Sequence, residues 1–117
     1  MSMRTTFLIA ALFLLSTAAH TQVVINEVDY DNVNTDNAEF IELYNHGTVA
    51  VDISGCLLSD SPSTNKFIIP RNTTLPPRGF IAFDQGQLGF ALSSTGEAIY
   101  LRDPAGTRVL DAVRFQA

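Results

Sequence analysis

Apolar and polar residues alternate along most of this chain with a period of two, and each alternating run is short. Val23-Val24-Ile25 opens a strand predicted over residues 22–28, which the polar run Asp29 to Asn37 ends. Glu39 to Tyr44 is a second strand. Asn45-His46-Gly47 then supplies residue types that tolerate positive φ, and beyond it Val49, Val51 and Ile53 alternate with Ala50, Asp52 and Ser54. The pattern predicts a β-hairpin from Glu39 to Ile53, with those three apolar residues facing a core. After the break at Ser54-Gly55, further short strands are expected at Cys56–Ser59, Phe67–Ile69, Phe80–Phe83, Ala98–Arg102 and Val109–Phe115. Pro70, the Pro76-Pro77-Arg78-Gly79 turn, a loop at Gly86–Gly89 and Asp103-Pro104-Ala105-Gly106 punctuate them. Ile99 and Leu101 share one face of their strand, and Val109, Asp111, Val113 and Phe115 share a face of the last. Asp111, a carboxylate among apolar neighbours, reads as an edge or turn-bonding residue. Outside the first residues, apolar spacing at three and four positions never persists long enough for a helix of ordinary length. Short strands with turn signals about every 8–12 residues predict an all-β, antiparallel β-sandwich.

The N-terminus follows a different pattern. Arg4, the apolar run Phe7 to Leu15 and the small residues Ser16 to Ala19 have the three-part layout of a secretory signal peptide. The run falls short of the roughly 20 apolar residues that span a bilayer. Residues 1–19 are therefore expected to be a leader cleaved after Ala19, and residues 23–117 one domain. That domain is large enough to bury a core without staples, and no transmembrane segment is expected after cleavage.

Several strand motifs, taken in order, resemble the lamin-tail domain family. They are Val24-Ile25-Asn26-Glu27-Val28, Glu39-Phe40-Ile41-Glu42-Leu43-Tyr44-Asn45, Val51-Asp52-Ile53-Ser54-Gly55 and Leu58-Ser59-Asp60. Leu75-Pro76-Pro77-Arg78-Gly79, Leu92-Ser93-Ser94-Thr95-Gly96-Glu97 and Leu101-Arg102-Asp103-Pro104-Ala105-Gly106-Thr107, running on to Asp111, continue the likeness. The resemblance implies an immunoglobulin-like β-sandwich, of the secreted type that often serves as an accessory module in larger exported or surface proteins. Cys56 departs from the family pattern, which usually has a large aromatic, commonly Trp, after the Ser-Gly pair.

Without Arg4 the chain keeps six basic residues against twelve acidic ones, a net charge of −6, which argues against nucleic-acid binding through phosphate neutralisation. Eight acids between Glu27 and Asp60 precede Lys66, the first base after the leader. A folded sandwich is expected to interleave the two halves and erase that asymmetry. Cys56 is the single cysteine, so no internal disulfide can form. Beside Leu57 and Leu58 it reads as a buried hydrophobe.

Candidate chemistry is sparse. His46, at the expected hairpin tip, lacks the rigid surround that a general base needs. Phosphate-loop, nucleophile-elbow and zinc-spacing patterns are absent from the sequence. The acidic segment from Glu27 to Glu39 offers oxygen ligands at Asp29, Asp31, Asn32, Asn34, Asp36 and Glu39. Of these, Asp29, Asp31, Asn34, Asp36 and Glu39 form the candidate calcium loop. Its alternative is a solvated loop whose side chains cap its own turns. Calcium is the one cofactor this suggests. Asn72-Thr73-Thr74 is a glycosylation sequon. Tyr30, Phe40 and Tyr44 could form an aromatic platform for carbohydrate or peptide, although core packing is their expected role.

These readings lead to the expectation of a non-catalytic, secreted module that binds, anchors or spaces at the cell exterior, its partner a surface protein or carbohydrate. Two alternatives stand beside it. One is an N-terminal accessory domain of a larger exported enzyme, such as a nuclease or other hydrolase, since the chain ends directly after its last predicted strand. The other is a calcium-dependent adhesion module.

Overall fold

The computed structural model describes residues 20–29, 39–92 and 96–116. Nine strands lie among them: β1 (Val23–Asp29), β2 (Phe40–Asn45), β3 (Val51–Asp52), β4 (Leu57–Ser59), β5 (Phe67–Ile68), β6 (Thr74–Leu75), β7 (Phe80–Asp84), β8 (Gly96–Arg102) and β9 (Val109–Gln116). One short helix, α1 (Gln85–Leu88), follows β7. The strands form a three-stranded sheet in the order β1-β2-β7, a four-stranded sheet in the order β5-β4-β8-β9, and the pair β3-β6. Each pairing is antiparallel, so the chain is all-β as its alternation predicts, and the arrangement is consistent with the immunoglobulin-like sandwich that the resemblance implies.

Period-two alternation sends one set of side chains from each sheet into a shared core. Val23, Ile25, Ile41, Leu43 and Phe83 enter from the three-stranded sheet, and Leu58, Ile99 and Leu101 from the four-stranded one. Val51, Ile53, Cys56 and Leu75 close one end, and the rings of Phe67 and Phe83 meet at 5.0 Å between the layers. Burying each of these large side chains contributes roughly 1.5–3 kcal/mol, which makes the core the main source of cohesion.

The hairpin expected across Asn45-His46-Gly47 does not form. β2 pairs with β1 and β7, while β3 pairs with β6. Gly47 is not among the glycines with positive φ; it lies against the Gln22 side chain, whose flexible end would have to move aside for a Cβ 1.9 Å from Oε1. Val49 lies ahead of β3 and is exposed rather than core-facing, whereas Val51 and Ile53 are buried as expected. Thr74–Leu75, which is not among the strands expected from the sequence, forms β6. The expected loop at Gly86–Gly89 is mostly α1, capped by Asp84, whose carboxylate accepts from Gln87 N, and by Gly89 at φ 76°.

One further departure lies in β9. Leu101 pairs with Asp111 but Arg102 pairs with Val109, leaving Leu110 as an extra residue in a bulge. The bulge turns Val109 out to solvent while Leu110 packs on the core. The expected leader, residues 1–19, lies outside the described residues.

Candidate functional site

The solvent-facing side of the β1-β2-β7 sheet is a small lattice set by strand register. Val24, Tyr44 and Phe80 form one row; Glu27, Glu42 and Ala82 the next; Asp29, Phe40 and Asp84 the third. These residues alternate with the buried Ile25, Ile41, Leu43 and Phe83, so the periodicity that builds the core also builds this face. Tyr44 and Phe80 stack at 4.4 Å between ring centroids with 24° between planes, and Phe80 is 56% exposed. Tyr44 and Phe40 are therefore surface residues, half-buried by neighbours, rather than the core residues expected from sequence. Tyr30 lies outside the described residues.

The second row sets like charges against each other. Glu27 and Glu42 are directly opposed across β1 and β2, about 5 Å apart at Cβ by the geometry of such pairs. Asn26 Nδ2 donates to Glu42 Oε1 at 2.8 Å, while the three strands contain no lysine or arginine. Among the described residues one ion pair forms, Lys66 to Asp60 at 2.6 Å, and it lies in a loop away from this face. Folding thus preserves, on these three strands, the charge asymmetry that interleaving was expected to erase: their charged residues are all acids.

A shallow cleft of about 190 Å³ opens beside this lattice, between β1 and β9. Ile25, Val28, Val113 and Phe115 supply its apolar lining, and Asn26 and Glu27 its polar rim. Beside the cleft the two sheets are tied, since Ile25 N donates to Asp111 Oδ2 at 2.8 Å. Asp111 is thus an edge residue, as expected, but one that bonds across the layers rather than within a turn.

Elsewhere the chemically capable side chains are engaged in holding backbone. Asn45, fully buried, donates from Nδ2 to Val49 O, Leu75 O and Pro76 O at 2.8, 3.0 and 3.1 Å, and accepts Gly47 N at Oδ1. Arg102, also buried, donates to Ser61 O, Pro62 O and Asn65 Oδ1 and lies 5.0 Å from the Tyr100 ring centroid. Ser54 accepts from Thr73 N, Ser59 donates to Thr64 O, and Ser61 accepts from Ser63 N and Thr64 N. Cys56 is 1% exposed. Burial, followed by repulsion from Asp103 and Asp52, pushes its thiol up to about 11, which makes it a poor nucleophile. His46 lies exposed after β2, its backbone N–H bonded to Gln22 O.

The candidate calcium loop is described only at its two ends. Asp29 terminates β1 and Glu39 stands just before β2. Asp31, Asn32, Asn34 and Asp36 lie outside the described residues. Glu39 Oε2 accepts Leu92 N at 3.2 Å, a bond that ties it to the chain beyond α1. The sequon residue Asn72 is exposed with φ 60°, in a turn where Thr73 Oγ1 donates to Pro70 O.

Sequence reasoning missed the lattice because it placed the aromatics inside and gave β2 the wrong neighbours. The available signal was the lack of any base in Val23–Asp29, Phe40–Asn45 and Phe80–Asp84. No curated protein matches the chain. Residues 16–116 match the family described as Lamin Tail Domain.

Proposed function

The chain belongs to the lamin-tail domain family, whose members are immunoglobulin-like, non-catalytic interaction modules, and from that premise we propose that it is a secreted module that binds or anchors at the cell exterior. The observation that carries the reading is how the polar groups are used. Asn45, Arg102, Asp111, Ser54, Ser59 and Ser61 hold backbone, whereas the aromatics and carboxylates of one sheet face are half-buried to exposed and, among the described residues, hold no backbone of another layer. The Arg4 to Ala19 pattern supports export.

Expression of the full chain in a secretion-competent host tests the export half of the reading. The expected result is an exported product whose mass begins at His20; an intact, cell-retained chain overturns it. The binding half is tested by immobilising the exported domain and screening glycans and surface extracts. Capture of one class of ligand is expected, and complete absence of capture overturns this half.

A further inference from the structure

Among the described residues no further strand or helix is seen to cover the outward face of β1-β2-β7, and its composition points to what fits on it. We propose that it docks an extended polypeptide segment bearing lysine or arginine, with a cation placed between Glu27 and Glu42 and an adjoining apolar side chain on the Tyr44–Phe80 stack. This inference rests on the binding-module reading and names the partner's chemistry.

Two features of the face argue for that occupant. The first is charge complementarity. Glu27 and Glu42 are directly opposed, an arrangement that destabilises an antiparallel pair. No lysine or arginine of the three strands relieves it, so a cation brought by a partner gains attraction and removes a repulsion already present. A neutral sugar would leave the repulsion in place. An anionic one would add to it.

The second feature is the apolar row one step along the strand. Val24, Tyr44 and Phe80 lie side by side, with Phe80 more than half exposed. Residues i and i+2 on one strand face lie about 6.8 Å apart, so the stack sits next to the carboxylates at the spacing of alternate side chains in an extended partner. Aromatic faces also attract the cation itself. Asn26 steadies Glu42 by its 2.8 Å bond, and Asn26 and Glu27 also rim the β1–β9 cleft, giving the segment a path off the sheet edge.

The probe is a fluorescent peptide of Lys-Ser-Val-Ser repeats, which when extended places lysine and valine two residues apart on one face, titrated against the exported domain at low and moderate salt. Binding that weakens with salt is expected. The double substitution Glu27→Gln/Glu42→Gln should weaken it at least about tenfold, the level at which 1.4 kcal/mol is lost, and Phe80→Ala about threefold. Asp103→Asn, a remote change that keeps an oxygen acceptor for Thr107 N and Arg108 N, should alter binding less than about twofold. All of these sites except Asp103 lie on the solvent face, and melting curves verify that each variant is folded.

Equal losses in Asp103→Asn and Glu27→Gln/Glu42→Gln would mean general attraction of a polycation to an acidic protein and overturn the proposal. So would concentration-dependent self-association that disappears in the double variant without peptide binding, because the occupant would then be a second copy. If the peptide does not bind but a glycan or extract ligand is captured equally by the wild-type, double-variant and Phe80→Ala domains, this face is wrong and the binding-module reading stands. If nothing is captured by any of them, that reading fails as well.

Discussion

The two faces of the β1-β2-β7 sheet treat polar residues in opposite ways. On the inward side Asn45 is fully buried and holds three carbonyls from two other segments, and Ile25 N is satisfied by a carboxylate from the opposite layer. On the outward side Glu27 and Glu42 oppose each other with no base on their strands. An inward polar group without partners is costly, so this sequence supplies partners for each of these. An outward one is tolerated unpaired because water screens it. The contrast separates residues that hold the fold from residues left available to a partner.

The hardest test of that separation is Asn45. Asn45→Ala removes the donor from Val49 O, Leu75 O and Pro76 O and is expected to cost about 3 kcal/mol, read from the urea midpoint. Asn45→Asp, nearly the same shape but without donors, should cost at least as much. A neutral result for either would erase the distinction between the faces. Asp111 comes next: Asp111→Ala should cost about 2 kcal/mol, and Asp111→Asn, whose amide oxygen can still accept Ile25 N, less than about 1 kcal/mol.

Cys56 sharpens the inward side through pH. Its folded-state thiol is raised from 9.0 to about 11, so the proton is held more tightly in the folded state than in the unfolded one. The resulting stability is complete below pH 9, declines as the unfolded thiol ionises and is lost as pH passes through about 11. The matching label experiment expects slow alkylation of the native protein at pH 8 and rapid alkylation in denaturant. Equal rates in the two would place Cys56 outside the core. The smallest effect belongs to the outward side, where Glu42→Gln should raise stability by about 0.5 kcal/mol by relieving Glu27. A loss of similar size would mean that the pair is not in conflict.

Most strands were legible because their alternation is locally consistent: Ile41 and Leu43 inward, Phe40, Glu42 and Tyr44 outward. Pairing was less legible. Asn45-His46-Gly47 has the composition of a tight hairpin, but Asn45 serves as a buried donor to Leu75 O and Pro76 O and Gly47 lies against the Gln22 side chain, contacts with residues distant in sequence. Thr74–Leu75 is too short to show a period and becomes a strand only because β3 lies beside it. The outward lattice was hidden for the same reason. Glu27, Glu42, Tyr44 and Phe80 become neighbours through register alone, and a sequence reader sees the residues without the rows. Asp111 gave a partial signal, since a carboxylate on an apolar face announced an unusual partner without naming Ile25.

That partner has a consequence for how the protein behaves in a crowd. β1 and β9 are both edge strands, and open edges invite pairing with strands of other molecules, the first step toward sheet aggregation. Asp111 occupies the one N–H of Ile25 that a foreign strand would need and places a negative charge at the seam. A single carboxylate of β9 thereby occupies one donor on the β1 edge, so loosening this bond is expected to lower solubility together with stability.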